Sequence, residues 1–267
     1  MLRLGLLCLA AAVAADANAQ DSLQDFVWST KASAAFDFSS GTYGAAKPTE
    51  ITFMPVTVQS TRGAWTLKGS LPWMEVDGPA LILDGSGAGS SGAGLDRRVD
   101  GLGDMNLSAT FAVDALYDRG IYIDFTGRMK VPTASFKKGL GTGKADFVAQ
   151  IDASASIGEV LPFATAGYKF TGSPATLALR DILFGSVGLQ YMWDQGVATG
   201  MAFDYRQSAI KGLSDPQEGS VYLSVRLSDR LSMNVYGVVG MSANSPTAGG
   251  GLIFTYRPDL GLIPVPK

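Results

Sequence analysis

Apolar and polar residues alternate along most of this chain. From Trp28 one face carries Trp28, Thr30, Ala32, Ala34, Phe36 and Phe38, and the other Ser29, Lys31, Ser33, Ala35, Asp37 and Ser39. A period of two marks a β-strand with one side in an apolar environment and the other in a polar one. The pattern returns with Trp65, Leu67, Gly69, Leu71 and Trp73 against Thr66, Lys68 and Ser70, and with Met105, Leu107, Ala109, Phe111 and Val113 against Asp104, Asn106, Ser108 and Thr110. Ile121, Ile123, Phe125 and Met129 oppose Tyr122, Asp124, Thr126, Arg128 and Lys130, while Phe147, Ala149, Ile151, Ala153 and Ile157 oppose Asp146, Gln150, Asp152, Ser154 and Ser156. Further runs centre on 164–170, 183–193, 197–205, 221–227, 231–241 and 250–256. Over 51–60 the phase is blurred by Phe53, Met54, Val56 and Val58, which makes this the weakest of about twelve predicted strands.

Tight turns at Thr61-Arg62-Gly63, Gly158-Glu159, Asp194-Gln195-Gly196 and Ser228-Asp229-Arg230 alternate with longer polar segments. Short and long connections therefore fall on opposite ends of the sheet, as they do in an outer-membrane barrel with short periplasmic turns and long extracellular loops. A soluble β-sandwich also alternates, but Trp65 and Trp73 share a face, and at ~3.4 Å per residue and ~40° of tilt they stand about 20 Å apart along a membrane normal. That is close to the spacing of two aromatic girdles. Trp28, Trp65 and Trp193 fit one girdle, and Trp73 with Tyr205 the other. The pattern predicts an all-β fold, a transmembrane antiparallel barrel of about 12 strands with both termini in the periplasm, closed because lipid offers no partner for an unpaired backbone group.

The start of the chain fits export. Arg3 precedes an apolar stretch over 4–15, and Ala17-Asn18-Ala19 before Gln20 is a small-x-small cleavage pattern. Residues 1–19 read as a signal peptide, too short in its apolar part to anchor the protein. Residues 20–267 read as a single barrel domain whose last strand ends near 257, followed by a short extension over 258–267. The expected destination is the outer membrane, with outer-membrane lipid and the barrel-assembly machinery as partners. Cys8, the only cysteine, lies in the leader, so the mature chain has neither disulfides nor thiol-based metal or redox chemistry.

Composition sharpens this. Only 17% of residues are charged while 33 are glycine, yet after the leader no run reaches eighteen apolar residues, which rules out a helical membrane bundle. The net charge of −3 carries no basic block, so nucleic acid is not an expected partner. There is no histidine anywhere in the chain. Outer-membrane phospholipases, lipid deacylases and omptin-type proteases resemble this protein in being small barrels, but each relies on a histidine base, so an enzyme of that kind is not expected.

The polar faces carry charges of both signs: Lys31, Lys68, Arg128, Lys130, Lys169, Arg206 and Arg226 against Asp37, Asp104, Asp124, Asp146, Asp152 and Asp204. Each would be costly against lipid, so the strand phase points all of them into the lumen. They are the pore-lining candidates, and pairing between them predicts modest ion selectivity. Single inward acids are ordinary lining for a water-filled barrel, so no catalytic residue, metal or cofactor is expected.

Two glycine-rich motifs lack their context. Gly87-Ala88-Gly89-Ser90-Ser91-Gly92 matches a dinucleotide fingerprint without a strand before it or a helix after it, and reads as a mobile loop. Gly139-Leu140-Gly141-Thr142-Gly143-Lys144 resembles a phosphate loop, but Lys138 stands where its first glycine belongs and Ala145 replaces the hydroxyl residue. The segment from Gly78 to Gly101 carries Ala80-Leu81-Ile82-Leu83 and then Asp96-Arg97-Arg98. It either folds inward to narrow a channel or extends its strands above the membrane, and in the first case deleting 84–94 changes the single-channel conductance.

Several segments resemble the phenol-degradation meta-pathway family of outer-membrane proteins, often labelled transporters. They are Phe38-Ser39-Ser40-Gly41-Thr42-Tyr43-Gly44, Gly101-Leu102-Gly103-Asp104, Lys130-Val131-Pro132-Thr133-Ala134, Lys138 to Phe147, Pro162-Phe163-Ala164 with Gly167-Tyr168, and Leu227-Ser228-Asp229-Arg230. The resemblance implies the barrel and, through the family's name, passage of aromatic catabolites. Unlike many barrels the chain does not end on a phenylalanine, so the assembly machinery is expected to recognise Phe254 or Tyr256. Fatty-acid and aromatic-hydrocarbon channels carry an N-terminal plug, for which the stretch between Gln20 and Trp28 leaves no room. The reading that results is a narrow passive channel for small solutes of unknown identity. The alternative is a non-conducting structural or surface-interaction barrel sealed by paired lumen charges.

Overall fold

The computed structural model describes residues 28–84, 87–89, 97–194 and 196–258. The leader and the extension from 259 onward lie outside them.

Twelve strands form one antiparallel sheet closed on itself. They are β1 (Ser29–Gly41), β2 (Thr49–Arg62), β3 (Trp65–Gly78), β4 in two segments (Arg97–Leu102 and Met105–Val113), β5 (Ile121–Val131), β6 (Asp146–Ala155), β7 (Val160–Phe170), β8 (Ile182–Met192), β9 (Val197–Arg206), β10 (Gln217–Arg226), β11 (Leu231–Gly240) and β12 (Ala248–Tyr256). Each strand pairs with its sequence neighbours, and β12 closes the sheet on β1 through Ala32↔Tyr256 to Ser40↔Ala248. All edges are thereby removed, the condition for a sheet in lipid.

The alternation predicts which side faces where. Phe36, Phe38, Leu67, Phe125, Ile151, Val187, Met201 and Val221 are exposed on the outside. Asp37, Thr126, Gln150, Thr165 and Ser186 are buried on the inside. The weak strand resolves the same way: Ile51 and Phe53 turn inward and are buried, while Met54, Val56 and Val58 are exposed. Its phase is blurred because its inner face near one mouth is apolar as well.

Trp28, Trp65 and Trp193 lie exposed near the short-turn end. There Trp65 packs on Phe111 at 5.1 Å and Tyr191 on Trp193 at 4.7 Å between ring centroids. Near the long-loop end Trp73 faces outward, and two residues above it charge begins on the same face. Glu75 and Asp77 of β3 pair in register with Asp100 and Arg98 of β4, and Arg98 meets Glu75 at 2.7 Å. Charges on that face cannot lie against acyl chains, so β2, β3 and the first segment of β4 project beyond the apolar band.

One rim carries short turns. Between Arg62 and Trp65 the two-residue turn places Gly63 at φ 53°, a backbone region open to glycine at no steric cost. The turn between β4 and β5 is longer and holds a 3-10 helix over Asp114–Arg119. The other rim carries the long connections, and both described ends of the chain lie at the short-turn rim. β4 is broken by a bulge: from Trp73↔Leu102 to Ser70↔Asn106 it advances four residues while β3 advances three. The extra residue turns Asp104 into the lumen.

Candidate functional site: the lumen

Of the predicted lining residues, Asp37, Asp104, Lys130, Asp146, Asp152 and Lys169 are buried inside the barrel, and Lys31, Lys68, Asp124, Arg128, Asp204 and Arg206 line it half-buried. Arg226 is exposed at the end of β10 beside Gly196, so it belongs to the short-turn mouth rather than to the lumen.

The structure gathers some of these charges into a network near the long-loop end. Lys130 Nζ lies 3.0 Å from Asp146 and 3.4 Å from Asp104, and Lys169 Nζ lies 3.3 Å from Asp146. The carboxylates also hold backbone: the Ala134 N–H donates to Asp104 at 2.9 Å and the Gly172 N–H to Asp146 at 2.9 Å. Lys130 further donates to the Thr142 hydroxyl at 3.1 Å. A buried network of this kind is strong only when its members are all paired. Here it fastens 132–145, the connection between β5 and β6, down into the barrel mouth.

The glycine-rich stretch of that connection thus has a structural use. Leu140 is 1% exposed and packs in the mouth with Tyr43, Ile51, Phe53, Met74, Val76, Ala80 and Ala134. A Cβ on Gly141 would come 2.7 Å from Asp104 Oδ2 and 2.8 Å from the Ala134 Cβ, so only glycine lets the loop sit this close. The inward-folded segment is 132–145. The segment from Gly78 to Gly101, expected either to constrict or to extend, continues the β3–β4 ladder to Gly78↔Arg97 and bears a short hairpin of Leu81–Asp84 with Gly87–Gly89. In its described part it extends; 85–86 and 90–96, and with the latter part of the dinucleotide-like motif, lie outside the described residues.

Deeper in the lumen, Asp152 accepts from Thr165 at 2.6 Å and from Gln150 at 2.8 Å, and Arg128 donates to Gln150 at 3.2 Å. Arg206 meets Glu218 at 3.4 Å. Across the seam Tyr236 donates its hydroxyl proton to Asp37. Tyr222 donates to Gln190 at 3.0 Å and packs with Tyr236, Val238 and Ile253, against which Ala35 and Phe163 also lie. Phe163 and Ala35 stand on β7 and β1, half the barrel apart by strand order, so this cluster reaches far into the lumen.

Glu218, Tyr222, Gln190 and Leu140 escape the sequence reading. Glu218 was within reach, since the phase of Ser220 and Tyr222 extends back to it. The inward aromatics read as ordinary lumen positions because nothing in one strand tells which rings meet across the space. Among the described residues no group of three His, Cys, Asp or Glu side chains could hold a metal, and no helix is long and apolar enough to cross a membrane.

An apolar exterior flanked by aromatics, a polar interior and a sheet without edges define the class: the fold is that of a bacterial outer-membrane β-barrel. No protein-family model and no curated protein sequence matches the chain. Solved structures do. The chain is similar to the COG4313 outer membrane channel from Pseudomonas putida F1, with a TM-score of 0.69 and 12% identity over 90% of this chain and 97% of that one. The NanC porin aligns with a TM-score of 0.56 and 6% identity, covering 85% of this chain and 99% of its own. The KdgM porin, solved in complex with disordered oligogalacturonate, aligns with a TM-score of 0.55 and 8% identity over 85% and 99%. At such identities the likeness is one of fold, and function has to be argued from the lumen.

Proposed function

We propose that this protein is a narrow passive channel for small solutes in the outer membrane, reached by export on a cleaved signal peptide and oriented with its short turns in the periplasm. The observation that carries the reading is the division of the wall: apolar side chains outside, and charged, amide and hydroxyl side chains on the inner face of nearly every strand, interrupted by an apolar cluster at the long-loop mouth and an aromatic one deeper in. Water in such a lumen replaces the hydrogen bonds that lipid cannot supply. Twelve strands give an interior wider than a side-chain-filled eight-stranded barrel and narrower than a sixteen-stranded porin. The fold likeness to channels and porins supports the same reading, and the resemblance to the phenol meta-pathway proteins makes aromatic catabolites the first solutes to try. Phe254 and Tyr256, exposed on the outer face of the last strand, are the aromatics offered to the assembly machinery.

The second reading, a sealed barrel, is favoured by the Lys130 network and the buried Leu140 in the mouth. Planar-bilayer recording of the refolded mature protein separates the two. Discrete ohmic steps support the channel, whereas a folded, heat-modifiable but silent protein supports the sealed barrel. Turnover lost in an Asp124→Asn or Asp152→Asn variant is the result that would revive an enzymatic reading.

A further inference from the structure

The short-turn mouth holds an aromatic corner built from a strand and the turn that precedes it. Tyr122 and Asp124 share the inner face of β5 at its short-turn end. The turn from β4 adds Tyr117, carried on the 3-10 helix over Asp114–Arg119. That helix is closed by Gly120 at φ 69°, whose N–H donates to the Tyr117 carbonyl at 2.8 Å and whose own carbonyl accepts from the Ser156 N–H at 2.7 Å. A left-handed residue reverses the chain at this point, and the bond to Ser156 fixes the reversal against β6. The Tyr117 ring is thereby laid against that of Tyr122, with centroids 5.2 Å apart and planes at 50°. Tyr117 is 40% exposed, so the corner is open to what enters the mouth. Its phenol also feels the nearby acids: partial burial foremost, with Asp124, Asp114 and Tyr122 behind it, raises it above its ordinary value.

Asp124 differs from the other inward acids. It is half-buried, yet among the described residues it has neither a hydrogen bond nor an ion pair. Its register partner Asp152 is buried, accepts from Gln150 and Thr165, and lies in the field of Arg128, so that acid is already served. Arg128 itself stands about 14 Å along β5 from Asp124 and donates to Gln150. Arg119, in the turn, is exposed and makes no ion pair among the described residues.

Ring faces attract positive charge, most of all when the cation gives up its water easily. A metal ion demands several oxygen ligands, and among the described residues no group of three His, Cys, Asp or Glu side chains could hold one. A methylated ammonium demands none, because it spreads its charge over an apolar surface. We propose that Tyr117, Tyr122 and Asp124 form a binding site at the short-turn mouth for a small organic cation of the quaternary ammonium kind. The rings cover its methyl surface and the carboxylate answers its charge. Binding of this kind does not require conduction, so the site stands apart from the channel reading above.

The test is calorimetric titration of the mature protein, refolded in a maltoside detergent that brings no choline headgroup of its own. The probes are choline and neohexyl alcohol, its uncharged carbon isostere. Choline should bind about tenfold more tightly than the isostere. Asp124→Asn and Tyr122→Leu should each weaken choline about threefold to tenfold, as should Tyr117→Leu, whereas Tyr117→Phe keeps the ring and should keep the binding. Heat-modifiable migration shows which variants are folded. Asp124→Asn and Tyr117→Phe remove almost no volume, so this pair decides the matter even where a leucine variant fails to fold. No heat with choline in the unaltered barrel, equal binding of the isostere, or unchanged binding in Asp124→Asn overturns the proposal. A barrel that binds choline as expected but is silent in planar bilayers overturns the channel reading and leaves the site.

Discussion

Lys130 shows what a single lumen side chain can hold. It joins Asp104 to Asp146, and those two carboxylates in turn hold the backbone at Ala134 and Gly172. Removing one member of a buried ion network leaves its partners uncompensated, so Lys130→Met should cost about 3–5 kcal/mol, read as a lower urea midpoint for the refolded barrel. Outside the sheet, Asp215 organises the connection between β9 and β10. It accepts from the Ser208 N–H at 2.8 Å and from Tyr205 at 2.7 Å, and it pairs with Arg180 at 3.2 Å. The Ser208 N–H foremost, with Tyr205 and Arg180 behind it, holds the carboxyl below its ordinary value. A carboxyl with a depressed folded pKa stabilises fully above its unfolded value and ceases to do so as pH falls through the lower folded one. Protection of the Ser208 amide from hydrogen exchange should therefore persist at pH ~5, fall only on stronger acidification, and be low at every pH in Asp215→Asn.

Strand by strand, the outward face answers to lipid and the inward face to its neighbours. Val187 is exposed in the middle of β8, so Val187→Arg should destabilise the folded barrel by about 2–4 kcal/mol in lipid, measured by reversible unfolding into urea from vesicles. Gly200 lies beneath the Tyr222 ring, and Gly200→Val should turn that ring into the lumen and lower single-channel conductance without loss of heat-modifiable migration. Truncating 135–143 should raise conductance, because Leu140 leaves the mouth, whereas deleting 84–94 should change it little. Most strands were legible because lipid and lumen impose an alternation on them; β2 was the weakest because Ile51 and Phe53 are apolar on the inner face as well. What alternation does not encode is a loop that returns. Leu140 sits in a stretch of glycines with no period, and its burial depends on the tie that Lys130 makes to Asp104, which lies on another strand far from it in sequence. The bulge at Gly103-Asp104 is likewise a matter of register between strands. The inner ring of Phe163 and Tyr222 depends on which strands face each other across the lumen, and local sequence is silent on that.

The whole molecule turns a broad apolar surface outward, and its interior combines polar side chains with two apolar clusters. Transfer from detergent to water should therefore leave the closed sheet with a broad apolar band exposed, and sedimentation should show association as soon as detergent falls below its micellar concentration. Closure has a kinetic consequence as well. The bond that ties Ser33 on β1 to Thr255 on β12 joins residues 222 positions apart. Bringing such distant points together costs on the order of 5 kcal/mol of chain entropy beyond a constant term, and nothing along the way refunds it until the last ladder forms. The first strand to arrive is thus the last to be completed. Until β12 reaches it, β1 waits as an open template for any extended chain nearby, and that waiting time sets the protein's exposure to misassembly.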